Sequence, residues 1–292
     1  MKAQSKAKLI SLKKGVYMVK IAIIGGSQPE IKAFVKQAKK QFESPLEFHV
    51  FDTEPSIADE TLWVYHPCET PERMALEAVK YVHSGQADIL VKGIVATRTV
   101  LKAVLTPEYS LKNQSVLSHV AVVHLPGLDR QILLTDAAMN IEPDTKQLID
   151  ITTNVIEVAN KIGIKQPKVA LLSAAETYNA KMPSSVSATE VTEYFKGSKN
   201  ALVHGPLSFD LALSKEAVKH KRFSGPIAGD ADVLVVPTID VGNVLYKALV
   251  LFGQAIMGGT IVGTKVPIVL TSRSDALESK LTALKLAIDQ IK

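Results

Sequence analysis

From Val19 to the end of the 292-residue chain, short apolar runs alternate with amphipathic stretches, and this alternation limits what the chain can fold into. A short apolar run followed by a helix-length amphipathic stretch is a β–α unit. Successive units of this kind build a mostly parallel sheet with helices on both faces. Strands are expected at 20–24, 47–51, 88–91, 118–125, 131–134, 169–172, 201–204, 232–236 and 266–270. Helices are expected at 29–42 and 71–83, after Gly93 as far as Leu105, and at 145–162, 187–195, 210–220, 242–257 and 274–291. The turn Pro126-Gly127-Leu128-Asp129 joins two strands directly and breaks the alternation. A domain junction is expected just after it. The expectation is an α/β protein of two domains, 19–134 plus 262–292 and 135–261, preceded by a basic disordered arm at 1–18.

The chain is 47% hydrophobic, enough for a large core. Its net charge of +5 argues for nucleic-acid binding only until it is located. Lys2, Lys6, Lys8, Lys13 and Lys14 all lie in the first 18 residues, which hold no acid, so the remainder is neutral. That arm lacks the apolar core of a secretory signal, and Met18 is a second candidate for the chain start. The most apolar stretch, 244–263, carries Lys247, Gln254 and Gly258-Gly259, and reads as a buried helix with a glycine stop, not a membrane span. Cys68 is the only cysteine, which excludes an internal disulfide or a thiolate metal cluster and fits a reducing cytoplasm. Within His66-Pro67-Cys68-Glu69-Thr70-Pro71 it reads as a loop or half-buried thiol before a nucleophile.

Polar residues gather where the apolar runs end, which is where open α/β sheets bind ligands. Val266 to Leu270 runs straight into Thr271, Ser272, Arg273, Ser274 and Asp275, with a helix after them. Hydroxyls, a guanidinium and a helix N-terminus together suit a phosphate group. Only five of the 34 basic residues are arginine, so an arginine at a strand end points to bidentate anion binding. Lys92, Gly93, Thr97 and Arg98 form a second such cluster. Ser118-His119 heads a strand, with His119 either a general base or a rim residue. Asp136 and Asn140 follow another strand, and Asp240 and Asn243 follow the strand closed by Pro237. Asn243 is expected as a helix N-cap or a ligand donor. Gly25-Gly26-Ser27 lacks the G-x-G-x-x-G spacing and reads as a strand-to-helix turn. Asp230 and Asp232 read as turn and cap residues, and no ligand cluster suggests a metal.

Taken together and in order, these segments resemble the phosphate acetyltransferase and phosphate butyryltransferase family. The matching stretches are Ala87 through Gly93, Ser118-His119-Val120, Leu134 through Asn140, Asp232 through Asn243, and Pro267 through Arg273. The second and third resemble the butyryl branch more than the acetyl branch. The resemblance implies the isocitrate/isopropylmalate dehydrogenase-like fold, two mostly parallel α/β domains with an active-site cleft between them. It implies interconversion of acyl-CoA plus phosphate with acyl phosphate plus CoA, on a butyryl or similar short or branched acyl group. It further implies no metal and no tightly bound cofactor, with coenzyme A as substrate. The family's phosphate-binding arginine and its serine match Arg273 and Ser272. Two departures stand out. Ser274 replaces the glycine usual after that arginine in the acetyl branch, and Ser279 stands where that branch has its proposed base. The neighbouring acids Asp275 and Glu278 are therefore the expected bases, in that order. A second family arginine corresponds to Lys102, with Arg98 one turn away.

The expected catalytic set is Arg273, Ser272, Asp275 and Glu278. The expected substrate-binding set is Thr271, Ser274, Lys92, Thr97, Arg98, Ser118, His119, Asp136, Asn140, Asp240 and Asn243. Attack of the CoA thiolate on acyl phosphate in a ternary complex needs no enzyme nucleophile. The expected partners are acyl-CoA and phosphate, with a homo-oligomer, no nucleic acid and no membrane, in the cytoplasm. Two alternatives are a non-catalytic CoA-binding protein on the same scaffold and an NAD-dependent hydroxy-acid dehydrogenase. The second would need clustered metal-binding aspartates and an arginine-rich substrate helix, and the sequence has neither.

Overall fold

A strand that is apolar on nearly every residue must be covered on both faces, and the first run satisfies this. In β1 (Val19–Ile24) every residue except Lys20 is buried. The computed structural model describes residues 17–58, 61–271 and 275–291. The chain continues through α1 (Pro29–Gln41), β2 (Leu46–Asp52), β3 (Val64–Pro67), α2 (Pro71–His83), β4 (Ile89–Lys92) and α3 (Thr97–Val104). Next come β5 (Ser118–His124), β6 (Ile132–Thr135), α4 (Thr145–Lys161), β7 (Lys168–Leu172), α5 (Pro183–Tyr194) and β8 (Leu202–Leu207). The chain ends with α6 (Phe209–Leu213), α7 (Lys215–Lys221), β9 (Val233–Val235), α8 (Ile239–Leu251), β10 (Ile256–Val262), β11 (Ile268–Leu270) and α9 (Leu277–Ile291).

Two compact units emerge, one within Met1–Leu111 and Val266–Leu281, the other within Lys112–Lys265 and Thr282–Lys292. In the first, the strand order is β3-β2-β1-β4-β11, and all neighbours are parallel. Its helices follow directly from sequence. Pro29 opens α1, which buries Ile31, Phe34, Val35 and Ala38 at the spacing of one helical face. The Thr70 side chain caps α2 by accepting from Arg73 N, and the helix buries Met74, Ala75, Ala78, Val79 and Val82. Residues 1–16 of the expected arm lie outside the described residues. Tyr17, at its end, does not belong to a disordered tail, because its hydroxyl bonds the Asp88 carboxylate at 2.5 Å.

In the second unit the order is β10-β5-β6-β9-β7-β8. Neighbours are antiparallel from β10 to β6 and parallel from β6 onward. Alternate residues of these strands enter two cores. Val120, Leu133, Val169 and Val233 face α4 and α5 through Leu148, Ile151, Val155 and Val191. Ala121, Leu134, Ala170 and Leu234 face the opposite side with Leu211 and Ala212 of α6 and the inner residues of α8. The sequence reading set the junction after residue 134, whereas β5 and β6 group with the second unit, because β5 pairs with β10 and β6 with β9.

Three elements depart from the expected pattern. The helix expected at 242–257 ends at Leu251, and Ile256–Val262 is strand β10, antiparallel to β5. Gly259 is no helix stop. A Cβ there would lie 2.3 Å from His119 Nε2, so the glycine makes room for that ring in mid-strand. The helix expected at 210–220 is two helices, since Ser214 ends α6 and its side chain caps α7. Strand β3 was not foreseen; it is a short edge strand paired with β2. Among the described residues, no helix is long and apolar enough to cross a membrane.

At the tip of the first unit's sheet, a Cβ on Gly93 would lie 1.7 Å from the Gly25 carbonyl oxygen and 2.7 Å from that of Ile24. Backbone cannot yield as a flexible side chain does. Gly93→Ala is therefore expected to cost about 3 kcal/mol or more in urea unfolding, at the severe end of overpacking. An unchanged unfolding midpoint would contradict this packing.

Candidate active site

Parallel pairing brings strand ends to a common edge. In the first unit, Leu270 of β11 stands in register with Lys92 of β4, so Thr271 leaves its strand beside Gly93. Ser272, Arg273 and Ser274 lie outside the described residues. Asp275 is half-buried, and Glu278 is exposed in the first turn of α9. Lys92 is buried, and its ammonium donates to Gly93 O at 3.2 Å. The Gly25-Gly26-Ser27 segment is a turn, as expected. The amides of Gly26 and Ser27 donate to Asp52 Oδ2 at 2.5 and 3.0 Å, and that of Glu54 donates to Oδ1 at 3.0 Å. Asp52, which sequence reading passed over, thus fixes the tip of β1. Its one signal was an acid closing an apolar strand.

After β4, α3 starts at Thr97 with no side chain capping its first amides. Thr97 and Arg98 are exposed there. Arg98, Thr99 and Lys102 on α3, with Glu72 and Leu76 on α2, line a pocket of about 480 Å3. Among the described residues, neither Arg98 nor Lys102 has an acidic partner within ion-pair distance. Two cations one turn apart on one pocket wall suit a multiply charged anion.

In the second unit, β5 begins at the edge where β6 ends, because the two are antiparallel. Ser118, His119, Asp136 and Asn140 therefore share that edge, and Ser118, Asp136 and Asn140 all bond within the fold. Ser118 is fully buried, and its hydroxyl accepts from Asn154 Nδ2 at 3.0 Å. His119 is buried with its ring against Gly259. Asp136 Oδ1 accepts from the amides of Ala138 and Met139, both at 3.0 Å. Its Oδ2 accepts from the Asn140 amide at 3.2 Å and from Asn140 Nδ2 at 2.6 Å. Asn140 Nδ2 also donates to Leu117 O at 2.8 Å. This acid holds its own loop closed.

Asp240 and Asn243 are exposed on the first two turns of α8. Asn243 is not the N-cap. The helix starts at Ile239, four residues earlier than Asn243, and Thr238 caps it with its side chain toward Val241 N. Gly242 faces inward, where a Cβ would meet Asp136 O at 2.8 Å and Ala137 Cα at 2.9 Å. This close approach sets the start of α8 on the loop after β6.

The other candidates resolve as structural. Asp232 Oδ2 accepts from Lys168 N at 2.8 Å, and Asp230 pairs with the Lys168 ammonium, so both hold the start of β7. Arg130 donates to Ala231 O at 2.8 Å. Cys68 is half-buried, and burial, with Glu77 and Asp52 nearby, pushes its thiol up, away from thiolate at neutral pH.

Residues 69–288 match the family described as Phosphate acetyl/butaryl transferase. The chain is 47% identical over 221 residues to a probable phosphate butyryltransferase of Bacillus subtilis, spanning 75% of this chain and 74% of that one. The fold matches the crystal structure of a branched-chain phosphotransacylase from Enterococcus faecalis V583 with TM-score 0.91 and 58% identity, covering 94% of this chain and 99% of that one. A 4-hydroxythreonine-4-phosphate dehydrogenase from Klebsiella pneumoniae shares the fold at TM-score 0.58 and 11% identity, over 94% of this chain and 99% of that one. The chain belongs to the phosphate acetyl/butyryl transferase family.

Proposed function

We propose that this protein is a phosphate acyltransferase that interconverts acyl-CoA plus phosphate with acyl phosphate plus CoA, acting on butyryl or branched short acyl groups. The observation that carries the reading is the 58% identity, over 94% of the chain, to a branched-chain phosphotransacylase. In the thioester-forming direction, Asp275 takes the proton of the CoA thiol, with Glu278 the second candidate. The sulfur attacks the acyl carbonyl, the S–C bond forms, and the bond from that carbon to the phosphate oxygen breaks. Phosphate leaves with the bonding pair. Arg273, Ser272 and the amides at the start of α9 stabilise the oxyanion and the departing phosphate, and one such donor supplies roughly 3–4 kcal/mol. The Arg98 and Lys102 pocket supports binding of the charged end of CoA, since both cations are available to phosphate oxygens. The half-buried thiol of Cys68 supports transfer without a covalent enzyme intermediate. The single cysteine also suits a cytoplasmic location.

Free thiol released from butyryl-CoA or isobutyryl-CoA should depend on added phosphate. Release without phosphate, or none with any short acyl-CoA, would reject the reading. Arg273→Ala should lower kcat by about 10²–10³. Cys68→Ala should keep native kcat, and a folded but inactive Cys68→Ala protein would overturn direct transfer. Arg98→Ala with Lys102→Ala should raise KM for acyl-CoA about tenfold or more and leave kcat nearly unchanged. An unaltered KM would remove that pocket from the site.

A further inference from the structure

Strand β3 is the edge of the first unit's sheet, with β2 as its neighbour, and its end residues Val64 and Pro67 are exposed. Its one inward polar contact is between two histidines. His66 Nε2 on β3 lies 3.1 Å from His49 Nδ1 on β2, and His49 is 5% exposed. The other ring nitrogen of His49, Nε2, donates to Glu47 Oε1 at 2.8 Å, and Glu47 also pairs with the Lys20 ammonium of β1 at 3.1 Å. The Tyr81 hydroxyl of α2 lies 3.1 Å from His49 Nδ1. The Phe51 ring stacks flat on His66, with 4.4 Å between centroids. Two residues further on, the half-buried Cys68 donates its amide to Asp52 O at 2.9 Å, and its Sγ lies 3.7 Å from His66 O. The charges of Asp52 and of Arg73 and Glu77 on α2 act on that thiol. None of Lys20, Glu47, His49, His66, Cys68 and Tyr81 belongs to the substrate-binding or catalytic sets.

The histidine pair is limited in the protons it can hold. Glu47 fixes an N–H on His49 Nε2, so in the uncharged pair His49 Nδ1 accepts and His66 Nε2 donates. One further proton, on either ring, preserves the bond. A second leaves two N–H groups facing each other with no lone pair between them, on two positive rings in contact. We propose that the pair is an acid-operated latch, which holds β3 on β2 while it carries at most one extra proton and which a second proton opens, releasing the strand and uncovering Cys68. Burial and the charge of His49 hold the pKa of His66 below its ordinary value. On the released strand His66 regains that value, near 6.5. Acid therefore favours release as the pH falls below about 6.5, and above that pH both states are neutral and the latch is unaffected. The Glu47 carboxylate, held low by His49 and Lys20, stays charged through this range and is not the trigger. A short edge strand paired on one side is also the kind of element that opens alone, ahead of the sheet it borders.

Cys68 is the only cysteine, so its thiol reports on β3. The full-length protein is mixed with 4,4′-dithiodipyridine at a series of pH values from neutral to acid, and each rate is divided by that of the urea-unfolded chain at the same pH. The ratio should stay level above about pH 7 and rise about tenfold or more between about pH 6.5 and 5. His66→Gln keeps an N–H donor toward His49 and takes no proton, so its ratio should stay level throughout. Hydrogen exchange of the native protein is a second measurement that needs no variant. Corrected for intrinsic rates, the amides of 64–68 should lose protection over the same interval, while those of 19–24 keep theirs. A level ratio in the native protein, an acid rise that survives in folded His66→Gln, or a midpoint down in the carboxylate range would overturn the proposal. Loss of protection at 19–24 in step with 64–68 would do the same, because it would mean that the whole sheet opens and not its edge.

Discussion

The contact on which the first unit depends is between two backbones, Gly93 against the carbonyl of Gly25. Side chains at either position would hold β1 and β4 apart at their tips. With none there, β1, β4 and β11 end in step, and Asp52 ties down the turn after β1 through the amides of Gly26 and Ser27. Several of the proposed substrate-binding residues lie at or just beyond that tip: Lys92 at the end of β4, α3 with Arg98 and Lys102, and Thr271 after β11. The second unit repeats the device. Gly242 lets α8 rest on the backbone after β6, and Asp136 braces that loop from within. In both units, a polar edge is built by removing Cβ atoms where two backbones must touch.

Much of this was legible in the chain because parallel strands leave a strong mark. A segment covered on both faces is apolar nearly throughout, and such runs mark nine of the eleven strands, all but β3 and β10. Helix α2 was readable to the residue, with Pro71 at its start and five apolar positions on one face. The failures have local physical causes. Gly258-Gly259 suggests a helix stop to a reader who cannot see that His119 will lie over it. For Asp136 and Asn140, proposed as ligand donors, nothing in the spacing discloses that they also bond each other and the adjacent amides. Arginine scarcity singles out each arginine as a candidate anion ligand. Yet Arg130 spends its fork on a carbonyl in the fold, which only tertiary structure can decide.

Helix α8 illustrates another limit. Its composition is that of a buried helix, and the sequence reading took it as one. Leu245, Tyr246 and Leu249 pack against the second core, while Val241, Val244, Val250 and Leu251 are exposed. Sequence reports the preference of a side chain for burial, and tertiary packing decides which face of the helix is covered.

The account of the chemistry rests on positioning without a protein nucleophile. Burial pushes the Cys68 thiol up, away from thiolate, which disfavours it as a nucleophile; in the proposed reaction the attacking sulfur is that of CoA, and the acyl group passes directly between two bound substrates. The most direct measurement is exchange of radiolabelled inorganic phosphate into butyryl phosphate with CoA left out. A one-step transfer in a ternary complex predicts no label incorporated above background, with exchange appearing once CoA is supplied. Label entering butyryl phosphate without CoA would require an acyl-enzyme and would contradict the account.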